Sequence, residues 1–215
     1  MKKNIELTTL IFDLGGVIIN IDPSLTIKKL ESISKNNSNI LYTLDYKNNK
    51  PNNLLNFFFE FEKGLINEND FRNQLNNLLN ISLDMKSFDA IWNKLIISFN
   101  YNLLDLIIKL KTRYQIFVLS NTNSIHQKFY NELCKNEYGK SLKEIFHKIY
   151  YSHEVKLRKP EKKIYELILD QNKLEGNEVM FFDDITENLI ASEKIGYKTY
   201  KVSEINVLED FLKNL

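Results

Sequence analysis

Past residue 114 the chain alternates short β-branched and aromatic runs with amphipathic helical ones. QIFVLS (115–120) precedes SIHQKFYNELCK, KIYYS (148–152) precedes EKKIYELILDQNK, EVMFFDD (178–184) precedes TENLIASEKIG, and KTYKVS (198–203) closes the series. A fifth run of the same kind, TTLIFDL (8–14), stands near the start. Apolar runs without strict polar alternation belong to strands covered on both faces, and strands separated by helices pair in parallel. The pattern therefore predicts an α/β fold, a doubly wound, Rossmann-like parallel sheet of five strands.

The interval between the first and second runs breaks the alternation. SLTIKKLESISKN, NLLNFFFEFEKG, ENDFRNQLNNLLN, DMKSFDAIWNKLIISF and NLLDLIIKLKTRY all read as amphipathic helices, with an Asn-rich joint, NNKPNN (48–53), among them. One such helix suffices to cross from strand to strand, and the last is assigned that task. The rest predict an inserted helical cap over 22–100, with residues 1–21 and 101–215 forming the core. A length of 215 residues suits one core with one appendage.

Charge narrows the partners. Twenty-nine Lys and Arg against 28 Asp and Glu leave a formal +1, so no global field draws the chain to nucleic acid or an anionic membrane. The N-terminal apolar run is interrupted by Glu6 and Asp13, and no uninterrupted apolar stretch is long enough to span a bilayer. Cys134 is the only cysteine, which excludes an internal disulfide and a thiolate zinc site. The expectation is a cytoplasmic monomer or homodimer whose partner is a small molecule.

Open parallel sheets bind ligands at the carboxyl ends of their strands. Here the first strand ends at Asp13 and Gly15, the second at Ser120 and Asn121, and the fourth at Asp183 and Asp184; Lys159 follows the third in KLRKP. Singly, each has a plainer reading as a helix cap or turn residue. Together they set carboxylates, a hydroxyl, an amide and an ammonium on one edge. Oxygen ligands for a hard cation beside donors for phosphoryl oxygens make a phosphate and Mg²⁺ site.

The order of these segments resembles the haloacid dehalogenase (HAD) superfamily of aspartate-nucleophile hydrolases, with FDLGG, LSNTN, RKP and FFDD as its four motifs and the helical insert as its C1-type cap. Within it, FDLGGVIINID, FEKGLINENDF and IYYSHEVKLRKPEKKIY are most similar to sugar phosphatases of the alpha-glucose-1-phosphatase type and to the phosphatase domain of soluble epoxide hydrolase. The resemblance implies that Asp13 attacks phosphorus to form an aspartyl phosphate, and that Asp13, the Gly15 carbonyl, Asp183 and Asp184 hold Mg²⁺. It also implies that Ser120 and the backbone or side chain of Asn121 bind phosphoryl oxygens while Lys159 neutralises charge. Asn188 is placed either to orient a metal-bound water or to cap its own helix.

Gly15 departs from the pattern. Most phosphatases of the superfamily carry a second Asp there, which protonates the leaving alcohol; glycine keeps the carbonyl ligand and loses the acid. Asp22 is one substitute, against its role as a helix cap before PSLTIKKL. An anomeric phosphate, whose alcohol is more acidic, would suit such a site. Glu62 and Lys63, in the cap's EKG turn, are candidates to meet substrate hydroxyls, with a solvated turn as the plainer reading. His126, His147 and His153 lack metal-ligand spacing and are read as non-catalytic, His153 being the nearest to the Lys159 loop. The expected activity is a Mg²⁺-dependent phosphatase acting on a small phosphorylated metabolite, a sugar phosphate foremost. The rivals are a 2-haloacid dehalogenase, against which both motif IV acids argue, and a weakly catalytic homologue that binds a phosphometabolite.

Overall fold

The computed structural model describes residues 6–36 and 56–215, so the Asn-rich joint at 48–53 lies outside the described residues. Strand β1 (Thr9–Phe12) leads into a short β2 (Ile19–Ile21), followed by helices α1 (Pro23–Ile33), α2 (Asn56–Glu62), α3 (Glu68–Leu79) and α4 (Met85–Trp92), and then β3 (Ile96–Phe99). The remaining elements are α5 (Tyr101–Leu110), β4 (Gln115–Ser120), α6 (Ser124–Tyr138), α7 (Leu142–Ile145), β5 (Lys148–Tyr151), α8 (Ser152–Val155), α9 (Lys162–Asn172), β6 (Val179–Asp183), α10 (Thr186–Glu193), β7 (Lys198–Lys201) and α11 (Ile205–Lys213).

Five strands form one parallel sheet in the order β5-β4-β1-β6-β7. Successive side chains of a strand face opposite ways, and the central strands use both faces. Leu10, Phe12, Ile116, Val118 and Phe182 pack beneath α5, α6 and α11. Ile11, Phe117, Leu119 and Phe181 pack beneath α9 and α10. This two-sided burial is why the strand sequences read as continuous apolar runs.

Between β2 and β3 the helices α1 to α4 enclose a separate cluster built on Phe57, Phe58, Phe61, Phe71, Phe88 and Trp92, with Ile27 and Leu30 of α1. Asp84 and Asn67 cap α4 and α3 through their side chains. Asp22 caps α1 in the same way, its Oδ1 accepting from Ser24 N at 2.9 Å. The segment 84–99 differs from its reading as one helix. Helix α4 stops at Trp92, and Ile96–Phe99 pairs antiparallel with Ile19–Ile21. Two strands thus carry the chain out to the insert and back. Among the described residues no helix is long and apolar enough to cross a membrane.

Candidate active site

The β1–β6 register, with Phe12 opposite Phe182, sets Asp13 alongside Asp183 where both strands end. The two phenylalanine rings stack at 4.6 Å, and the Asp13 amide donates to the Phe182 carbonyl at 2.9 Å. A carboxylate at the end of such a strand is held by main chain on one side and packed rings on the other. Its Oδ1 also accepts from the Leu14 amide at 2.7 Å.

Lys159 reaches into this edge from the loop after α8. Its ammonium, 1% exposed, sits 2.8 Å from Asp13 Oδ1 and 2.7 Å from Asp183 Oδ2. Asp183 is locked further by the Ile185 amide at 2.7 Å and by Asn188 Nδ2, which is 3.0 Å from each carboxylate oxygen. Asn188 therefore serves the carboxylate beside it, and the Tyr165 hydroxyl donates to its carbonyl in turn. Asp184 completes a triad with Asp13 and Asp183 in which one oxygen from each lies within 4.8 Å of the others. Three carboxylate oxygens at that spacing, with a main-chain carbonyl close in sequence at Gly15, are a donor set that fits a hard divalent cation.

Burial pushes the Asp13 carboxyl well above the usual carboxylate range; Lys159 opposes this, while Asp183 and Asp184 add to it. Burial also works against the Lys159 ammonium, but Asp13 and Asp183 outweigh it and hold the proton more firmly than in water. The site is short of positive charge as it stands. A further cation would relieve the crowding of three acids around one ammonium.

Two positions take on more definite roles. Asn121 spends its side chain on the Lys159 main chain, accepting from the Lys159 amide at 2.8 Å and donating to the Lys159 carbonyl at 2.9 Å. What it has left for a bound anion is its backbone N–H. Ser120 is buried at the last position of β4, opposite Tyr151 of β5. Beyond it, Ser152 Oγ accepts from the Thr122 amide and donates to the Thr122 carbonyl, tying the two strand ends together.

The two glycines after Asp13 differ. Gly16 has φ +77°, and a Cβ there would fall 2.6 Å from Asp184 Oδ2, so glycine is required for both the turn and the approach of the acid. Gly15 is free of that backbone demand, and a Cβ on it would come 3.1 Å from Ile21 Cδ1. The histidines have structural partners. His126 stacks on Trp92 and bonds Asn93 Oδ1 at 2.7 Å, His147 Nδ1 accepts from the Ile116 amide, and His153 Nε2 meets Gln127. Glu62 and Lys63 pair with Arg158 and Glu161 of the sheet domain's loops.

The chain is 27% identical over 204 residues to a D-ribitol-5-phosphate phosphatase of Bacteroides thetaiotaomicron, covering 94% of this chain and 92% of that protein. Its fold matches the crystal structure of a HAD family enzyme from the same organism in complex with magnesium and inorganic phosphate, with TM-score 0.78, 30% identity and coverage of 91% and 93% of the two chains. A predicted HAD-like family hydrolase from Porphyromonas gingivalis matches with TM-score 0.83 at 25% identity, covering 96% and 98%. Residues 10–202 match the family described as haloacid dehalogenase-like hydrolase.

Proposed function

Because this chain belongs to the haloacid dehalogenase-like hydrolase family, we propose that it is a Mg²⁺-dependent phosphatase of a small phosphorylated sugar or sugar alcohol. The observation that carries this reading is the triad Asp13, Asp183 and Asp184, with Lys159 bridging two of its members. The relatives add support: one is a phosphatase of a phosphorylated sugar alcohol, and another was crystallised with magnesium and phosphate.

In this reading residues 1–21 and 101–215 are the catalytic core and 22–100 the cap. Asp13 attacks phosphorus, the bond to the sugar oxygen breaks, and the aspartyl phosphate is hydrolysed by water. Lys159 and the Asn121 N–H, with the Ser120 hydroxyl, hold the phosphoryl oxygens while charge redistributes over them. Asp13, the Gly15 carbonyl, Asp183 and Asp184 would hold Mg²⁺, which when bound offsets the repulsion between a carboxylate nucleophile and a phosphate dianion. Asp183, fixed by Lys159 and Asn188, is read as a ligand or as support for one, and Asp184 as the direct ligand. Asp22 is engaged as the α1 cap, its Oδ1 accepting from Ser24 N. The alcohol leaves with a proton taken from solvent, which favours leaving groups of low basicity. We place the protein in the cytoplasm as a monomer or homodimer without nucleic-acid or membrane partners; its near-neutral charge and lone cysteine support this.

A panel of phosphorylated sugars and sugar alcohols assayed for phosphate release with Mg²⁺ tests the reading. Activity should vanish with EDTA and return with Mg²⁺, and Asp13→Asn should lose about 10³-fold or more in kcat. Phosphate release that survives EDTA, halide release from 2-chloropropionate, or full activity in Asp13→Asn would overturn it.

A further inference from the structure

The turn Phe61–Gly64, at the end of α2, sits on the loop that carries Lys159. Arg158, 8% exposed, points Nε and Nη2 at a single oxygen of Glu62, at 3.0 and 2.8 Å. Its guanidinium carbon also lies 4.3 Å from the centre of the Phe59 ring. Lys156 Nζ donates to the Gly64 carbonyl at 2.5 Å, and Lys63 pairs with Glu161 on the far side of Lys159. The fit is close, because a Cβ on Gly64, which has φ +60°, would fall 2.3 Å from the His153 carbonyl oxygen.

A mostly buried ion pair is costly to desolvate, and its return is definition of geometry more than stability. The geometry at stake here is that of Lys159, the next residue along from Arg158. Asn121 grips the main chain of Lys159 from the core, at both N–H and C=O. Glu62 holds the preceding side chain from the insert. We propose that Glu62 is a positioning residue for the phosphatase reaction: acting through Arg158, it fixes the loop so that the Lys159 ammonium stays between Asp13 and Asp183, which makes seating of the insert's turn a condition for an aligned site. Its carboxylate is thereby committed to Arg158 rather than to a substrate hydroxyl.

This inference rests on the phosphatase reading for its kinetic arm and stands apart from it in its second arm. The kinetic arm uses para-nitrophenyl phosphate, which has no sugar hydroxyls, with Mg²⁺. Glu62→Gln and Arg158→Gln should each lower kcat roughly tenfold or more, since small misplacements at the reacting centre are expensive. KM should move by less than about threefold, and the double variant should be no worse than the poorer single one. Lys162→Ala, which breaks only an exposed ion pair with Glu166 on α9, should leave kcat within about twofold. The second arm is amide hydrogen exchange without substrate. Glu62→Gln should lose protection at residues 156–161, where the Lys159 amide is bonded to Asn121, while β1, β4 and β6 keep theirs.

Unchanged protection of that loop in Glu62→Gln would overturn the proposal, as would an additive double variant or a loss confined to hydroxyl-bearing esters. A wild-type protein that turns over no phosphate ester, yet loses loop protection on Glu62→Gln, would refute the phosphatase reading and leave the coupling of turn to loop in place.

Discussion

At the carboxyl edge of the sheet, the buried Lys159 ammonium lies within 3 Å of both Asp13 and Asp183, and each of the three residues is tied by at least one further hydrogen bond. In the helical insert, Phe71 is fully buried against five rings, stacking on Phe61 at 4.1 Å and meeting Trp92 at 4.9 Å, Phe58 at 5.5 Å, Phe57 at 5.7 Å and Phe88 at 5.9 Å. The first region takes charge out of water and gains little net stability from doing so. The second removes apolar area from water and is expected to supply a large share of the stability of its own helices. The difference separates two kinds of sensitivity: chemistry should fail first at the sheet edge, and folding should fail first in the insert.

The largest effect on stability should come from the insert. Phe71→Ala deletes the ring shared by all five neighbours, and large-to-small changes of that type cost about 3–5 kcal/mol. Urea denaturation followed by tryptophan fluorescence reports it well, because the single Trp92 lies in the same cluster. A loss below about 1 kcal/mol would mean that the cluster collapses around the gap, and the contrast between the two regions would be lost with it.

Asn121→Ala tests the other region. It leaves the main-chain N–H and C=O of Lys159 without their side-chain partners, at a cost of about 1–3 kcal/mol in stability. The more telling readout is catalytic: kcat on para-nitrophenyl phosphate should drop roughly tenfold to a hundredfold, because the ammonium is no longer held in place. Stability lost without a matching loss of rate would show that the Lys159 loop is fixed well enough by its other contacts.

How much of this was legible follows from where the information lies. The five parallel strands could be read because each is a contiguous apolar run, and the meeting of Asp13, Asp183 and Asp184 could be read because topology alone brings strand ends together. The ribbon of β2 and β3 could not. IISF fits a helix as well as a strand when its partner, Ile19–Ile21, is more than 70 residues away in the chain. Glu62 and Arg158 are separated by 96 positions, so nothing local marks them as partners, and Glu62 looked available for substrate. The engagement of the Asn121 side chain with the Lys159 main chain depends on a loop path that no periodicity encodes.

The smallest expected effect lies on the boundary between the two regions. His126, at the start of α6, stacks flat on Trp92 of the insert at 5.2 Å and bonds Asn93 Oδ1. Burial pushes its pKa down to about 3 from an ordinary 6.5. The folded protein therefore holds it neutral, while the unfolded chain takes up a proton below about pH 6.5. By linkage, the unfolded state binds more protons between those two values, so stability rises with pH there and is lost as pH falls through 6.5 toward 3. Between pH 7 and 5.5 this single group should remove about 1 kcal/mol. His126→Gln keeps a polar group and abolishes that titration, so its unfolding free energy should fall less steeply over the same range than that of the wild type. Parallel pH profiles for the two proteins would mean that the insert and core part readily enough at this contact for the imidazole to be solvated, and the boundary would then belong to neither region.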